Sequence, residues 1–150
     1  MIRWDDRAGV YRVDLEAGFR QVLRELMDQF MELLSDPDAP VMQRLFPPAY
    51  SDPAHAEMQD EYRRLMQEDL VERRRAECQA VMASADAKEL TEEQLLAWSR
   101  AINGIRLALG TYLDVSEDDP PRVPQTPEES AYHWLSVLLE EAIEALSRQT

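Results

Sequence analysis

The stretch TEEQLLAWSRAINGIRLALGTYLDV, residues 91–115, decides the fold. Thr91 followed by Gln94 has the pattern of a capping box, in which two side chains satisfy backbone donors at a helix start. Leu90 and Leu95 flank the pair as a hydrophobic staple. Leu95, Trp98, Ile102, Ile105, Leu109 and Tyr112 then recur at gaps of three and four, which places all six on one helical face. Ala101 and Ala108 widen that face, and Leu96 and Leu107 lie on the far side. Only a narrow strip near Glu93, Arg100, Gly104 and Thr111 is polar or small. A helix that is apolar over most of its circumference is buried on most sides. The expectation is a mainly α protein, a single-domain helical bundle around a central helix over 91–114, roughly 37 Å long at 1.5 Å per residue.

Outward from this post, residues 2–14 (IRWDDRAGVYRVD) read as a short N-terminal β-hairpin, with the turn at 5–9. An isolated hairpin is marginal in water, so it is expected to pack on the helices. A first helix is expected from an N-cap at Asp14 to the Ser35-Asp36-Pro37 stop. Its expected buried stripe is Leu15, Phe19, Val22, Leu23, Leu26, Phe30, Leu33 and Leu34. A short helix over 39–45 and an extended Phe46-Pro47-Pro48-Ala49-Tyr50 segment follow. Asp52 and Pro53 open a helix-compatible stretch to residue 84, either bent near 67–69 or continuous with much exposed surface. Residues 83–88 read as a polar connector. An acidic, Pro-rich loop occupies 115–126 before a last helix, 127–148, opened by a second capping box at Thr126 and Glu129. Its expected buried face is Tyr132, Leu135, Leu138, Leu139, Ala142, Ile143 and Leu146.

A chain of 150 residues is read as one domain, 1–150. No run is long and apolar enough for a membrane span, and the N-terminal residues lack a secretory pattern, so a cytoplasmic location is expected. The net charge is −14 and becomes more acidic toward the C-terminal half. Such a field repels nucleic-acid phosphates and attracts basic protein surfaces, although a purely solubilising role also accounts for it.

Chemistry-bearing patterns are sparse. His133 falls on the solvent side of the last helix, and His55 in the first turn of its own. The two histidines lack ligand spacing, so no metal or other cofactor is expected. Neighbouring carboxylates such as Glu92-Glu93 and Glu140-Glu141 diverge around a helix and read as solvated faces. No Gly-rich phosphate loop and no GxSxG setting is present. Cys78 is the single cysteine. Arg74 and Arg75, one turn before it, favour a reactive thiolate and a redox role, whereas Glu77, Val81 and Met82 favour a packed, inert thiol. Asn103 and Arg106 sit at the margin of the post's apolar stripe. Arg106 there needs a carboxylate or backbone carbonyls, so the two form either a structural ion pair that fixes how helices meet or a partner or ligand site.

Three stretches together resemble a known family: Leu45-Phe46-Pro47-Pro48-Ala49-Tyr50, Asn103-Gly104-Ile105-Arg106-Leu107-Ala108-Leu109-Gly110-Thr111 continuing to Ser116-Glu117-Asp118-Asp119, and Tyr132-His133-Trp134-Leu135. The chain is similar over nearly its whole length to the actinobacterial AosR-like oxidative-stress regulators, formerly a family of unknown function. The resemblance implies a cytoplasmic, mostly helical, non-enzymatic regulator that works with a stress sigma factor in redox homeostasis. Better-known members sense oxidants through a pair of bridging cysteines. With Cys78 alone, this chain cannot form that bridge internally. The implied partner is a protein with a basic surface, DNA being reached only indirectly; a homodimer is compatible with the sequence. The alternatives are an adaptor or scaffold linked to protein turnover or sulfur-carrier pathways and, behind it, a small-molecule enzyme.

Overall fold

The computed structural model describes residues 1–36, 39, 42, 56–114, 120 and 123–148. Its elements are β1 (Ile2–Asp5), β2 (Val10–Val13), α1 (Ala17–Leu34), α2 (Ala56–Ser84), β3 (Glu89–Leu90), α3 (Glu92–Tyr112) and α4 (Pro127–Arg148). The expected 39–45 helix (Ala39 and Met42 apart), the Phe46–Tyr50 segment, the Asp52-Pro53 start, His55 and the acidic run at 115–119 lie outside the described residues. Ala39 and Met42 are both buried.

The protein is mainly α, and α3 is its axis. Thr91 Oγ1 accepts the Gln94 N–H at 3.2 Å while Gln94 Oε1 accepts the Thr91 N–H at 2.9 Å. Glu92 and Glu93 add negative charge at the positive end of the helix dipole. Leu90 and Leu95, the expected staple, are both fully buried. α3 packs against α2, α4, α1 and the sheet. Its buried residues include Leu95, Trp98, Ala101, Ile102 and Ile105.

Two expectations for this helix are overturned. Tyr112 is 76% exposed, because neither α1 nor α4 closes over the last turn of α3. Gly104, read as part of the open strip, is buried. A Cβ there would stand 3.1 Å from Phe30 Cζ and 3.8 Å from Arg74 Nη1, so the missing side chain lets α1 and α2 approach the post closely.

The N-terminal hairpin forms and is extended by β3 into a three-stranded antiparallel sheet, with β2 central. Ile2 pairs with Val13 and Trp4 with Tyr11, while Tyr11 also pairs with Leu90. Asp5 Oδ1 accepts the Arg7 and Ala8 N–H groups, each at 3.1 Å, and Gly9 takes the positive φ of 68° that closes the turn. Arg12 bridges Asp5 and Glu89, and its hydrogen bond holds the Asp5 carboxyl below its usual range. β1 lies against α4, which gives the sheet its helical backing.

α1 begins at Ala17 rather than after Asp14, with Glu16 at the N-cap and no side-chain cap bond. The sheet explains the delay. The Asp14 N–H donates to the Met1 carbonyl at 2.6 Å, which keeps this residue extended. The buried stripe is also rotated: it consists of Arg20, Leu23, Met27, Phe30 and Leu34. Phe19, Val22 and Leu33, expected inside, are exposed. α2 is one continuous 29-residue helix; Tyr62, Leu65 and Met66 on its first half are exposed, and Cys78 and Val81 on its second half are buried. On α4, Leu135, Leu138, Leu139, Ala142 and Ala145 are buried, whereas Ile143, expected inside, is 54% exposed and Tyr132 is half-buried. Thr126 Oγ1 caps the Glu129 N–H at 3.1 Å, and Glu129 returns its bond to the N–H of Gln125, one residue earlier than a standard box.

Candidate functional site

α2 presents Cys78 inward, into the core it shares with Val81, Trp98 and Ile102. The thiol has no solvent-exposed surface. Burial first, and the neighbouring Glu77 carboxylate second, push its pKa up to about 12. Arg74 and Arg75 pull in the opposite direction but are engaged elsewhere. Arg74 Nη1 donates to the Arg100 carbonyl at 3.2 Å, and Arg75 Nη2 to Ser35 Oγ at 3.2 Å. The arrangement therefore keeps the sulfur protonated at neutral pH, and a thiol in that state is a poor nucleophile. Glu77 itself is half-buried, with Oε2 3.6 Å from Arg74 Nη1, and burial raises its pKa against the pull of Arg74 and Arg100.

Arg106 lies on α3 where α4 crosses it. Its Nη1 donates to Tyr132 Oη at a long 3.4 Å, and its guanidinium carbon stands 5.8 Å from the Tyr132 ring centroid, within cation–π range. Arg106 Nε is buried without a hydrogen-bond partner. The described partner is thus an aromatic ring and a phenol rather than a carboxylate. Asn103, one turn earlier, is half-buried. His133 is exposed on α4. The described part of the middle resemblance stretch, 103–111, and the third stretch, 132–135, therefore meet at the α3–α4 seam. The first, at 45–50, lies outside the described residues.

Two polar side chains that the sequence reading passed over sit in the core. Arg20 is buried and spends its guanidinium on four carbonyls: Leu15 at 2.9 Å, Ala85 at 2.7 Å, Ala87 at 2.8 Å and Val13 at 3.1 Å. It ties α1 to β2 and to the chain leaving α2. Its position in register with Leu23, Met27 and Phe30 was the available signal. Ser84 accepts the Trp98 indole N–H at 2.8 Å, and nothing in the local sequence announces that pair.

The surface holds the other candidate. Leu26, Phe30 and Leu33 of α1 face Ile105, Leu109 and Tyr112 of α3 across a shallow groove of about 250 Å³, whose lining Gln29, Ala108 and Glu128 complete. The apolar face of α1 continues past it to Phe19, whose ring stacks on Trp134 of α4 with centroids 5.5 Å apart. A second, more polar cavity lies between β1 and the end of α4, lined by Arg3, Trp4, Glu141, Glu144 and Arg148 among others. Among the described residues, no group of three His, Cys, Asp or Glu side chains could hold a metal ion. No described helix is long and apolar enough to cross a membrane.

The sequence model of a family described as a domain of unknown function, DUF2017, matches residues 1–146. The chain belongs to the DUF2017 family. It is 33% identical over 129 residues to an AosR protein of Mycobacterium leprae, an alignment that covers 73% of this chain and 59% of that one. It is 29% identical over 123 residues to proteins of Mycobacterium bovis and Mycobacterium tuberculosis named oxidative stress regulator AosR, covering 69% of this chain and 56% of each of those. The aligned DUF2017 region thus spans less than two thirds of the length of these relatives. No solved structure gives a significant match. The AosR-like resemblance expected from the signature stretches is therefore shown.

Proposed function

We propose that this chain is a non-enzymatic regulator of the oxidative-stress response that acts in the cytoplasm by binding a protein partner. The observation that carries the reading is its similarity to proteins named oxidative stress regulator AosR. The favoured partner is a basic surface of the transcription machinery, such as a stress sigma factor. The net charge of −14 supports a protein partner over direct contact with phosphates. The fully buried Cys78, with its ionisation suppressed, supports recognition by the outer surface rather than thiol chemistry in the folded state.

The test is transcript profiling of a strain lacking this chain before and after peroxide. The expected result is a set of peroxide-induced genes that fails to rise and is restored by the wild-type chain. An induction profile identical to that of the parent strain would overturn the reading.

A further inference from the structure

We propose that the groove between α1 and α3 is the docking site for one amphipathic helix of a partner protein, a helix with an apolar face and basic flanks. The inference rests on the reading of this chain as a partner-binding protein and says where and how that partner binds.

Three observations converge on it. The first is shape: about 250 Å³ lies below the ~300–1,000 Å³ usual for small-molecule pockets. The apolar strip nevertheless runs along α1 from Phe19 through Val22 and Leu26 to Leu33, which at 1.5 Å per residue is roughly 21 Å. A shallow, long, apolar track suits a helix laid into a groove and gripped by side chains one turn apart.

The second observation is exposure. Phe19 at 45%, Leu33 at 41% and Tyr112 at 76% keep much of their surface in contact with solvent among the described residues. Exposed apolar side chains that adjoin one another in a strip, unlike singly scattered ones, mark interaction surfaces.

The third is charge, which selects the occupant. Glu25 and Glu32 follow the strip on its solvent side, and Glu128 stands in the groove lining. None of the three is ion-paired with a cation among the described residues. The nearby cations are committed: Arg20 to backbone carbonyls, Arg24 to Asp86 and Arg106 to Tyr132. A second copy of this chain would bring the same acids, on a net charge of −14, against one another. A helix flanked by Lys and Arg would neutralise them.

The test uses the full chain and a designed helical peptide of about 18 residues, roughly five turns, with Leu on one face and Lys elsewhere. Its counterpart carries Glu in place of Lys, and binding is read by fluorescence anisotropy at low and high salt. The Lys peptide is expected to bind and the Glu peptide not to. Leu33→Asp and Tyr112→Asp are expected to weaken the Lys peptide by about tenfold or more, a loss of roughly 1.4 kcal/mol. Ile143→Asp, on an exposed face of α4, is the matched control and should leave binding unchanged. Glu32→Gln and Glu128→Gln should flatten the salt dependence.

The sign of the Asp effect separates the groove from bulk charge. Attraction to an acidic protein alone would be strengthened by an added Asp, so unchanged or tighter binding by Leu33→Asp overturns the proposal. A concentration-dependent dimer that Leu33→Asp disperses makes a second copy the occupant and also overturns it. So does a wild-type chain that binds no peptide while a Phe46→Asp variant does, which would assign the groove to this chain's own apolar segment. A normal peroxide phenotype with intact peptide binding would remove the stress role and leave the groove; the reverse result would do the opposite.

Discussion

The Trp98 indole N–H and the Ser84 hydroxyl meet at 2.8 Å with both side chains buried, and the same hydroxyl donates onward to the Ala80 carbonyl at 2.8 Å. This chain of bonds fastens the end of α2 to the second turn of α3. Ser84→Ala would strand the indole donor in the core, at a cost of about 1–3 kcal/mol. Urea denaturation of Ser84→Ala, Trp98→Phe and the double variant checks it. The double variant is expected to lose less than the sum of the singles, because the second change removes the donor that the first leaves unpaired.

Arg20 is the second internal fastener. Its planar fork reaches four carbonyls that a single ammonium cannot reach together. Arg20→Met is expected to destabilise by roughly 3 kcal/mol, since charge-assisted bonds are lost and carbonyls are left unsatisfied. Arg20→Lys should recover less than half of that. Equal stability of the Lys variant and wild type in a thermal melt would contradict the assignment.

The stack of Phe19 on Trp134 is half exposed, whereas Leu23 is fully buried. Phe19→Ala is therefore expected to cost about 0.5–1.5 kcal/mol and Leu23→Ala about 2–5 kcal/mol. The sequence pattern alone places both inside, so this ordering tests the rotation of α1.

Cys78 gives a pH prediction with a definite sign. Its thiol is raised from an ordinary 9.0 to about 12 in the folded chain. Between those values the unfolded chain ionises and the folded chain stays protonated, so the folded state holds the extra proton. The stabilisation is full below pH 9.0 and is lost as pH rises toward 12. Labelling by a thiol reagent at neutral pH should proceed only through opening of the fold, with a rate that rises with urea. Rapid labelling of the native protein would contradict the buried placement.

Much of this architecture can be read from residue order because local chemistry and burial agree. Thr91 and Gln94, Leu90 and Leu95, and the turn at Asp5 to Gly9 each announce themselves within a few residues. Residue order and structure part where a single residue contradicts its surroundings. Arg20 is polar by type yet lies at the buried centre of the α1 stripe, so the apolar pattern alone points to one side of that centre and takes in the exposed Phe19 and Leu33. β3, only Glu89–Leu90, is too short to show alternation. Gly104 gives no hydrophobic signal, although its lack of a side chain admits Phe30. In the site, the marginal position of Arg106 followed from helical spacing, but its partner Tyr132 is 26 residues away and could be assigned only in three dimensions. The groove does not show in residue order for the same reason as the rotated stripe, since most of its lining consists of apolar residues with the spacing of core positions.

The most direct test of a surface-acting regulator is quantitative affinity capture from cells before and after peroxide, with wild type, Cys78→Ser and Leu33→Asp as baits. Wild type and Cys78→Ser are expected to enrich the same sigma factor or polymerase component, and Leu33→Asp to lose it. Capture of no transcription protein by wild type in either condition, or loss of capture by Cys78→Ser with the fold intact, would contradict it.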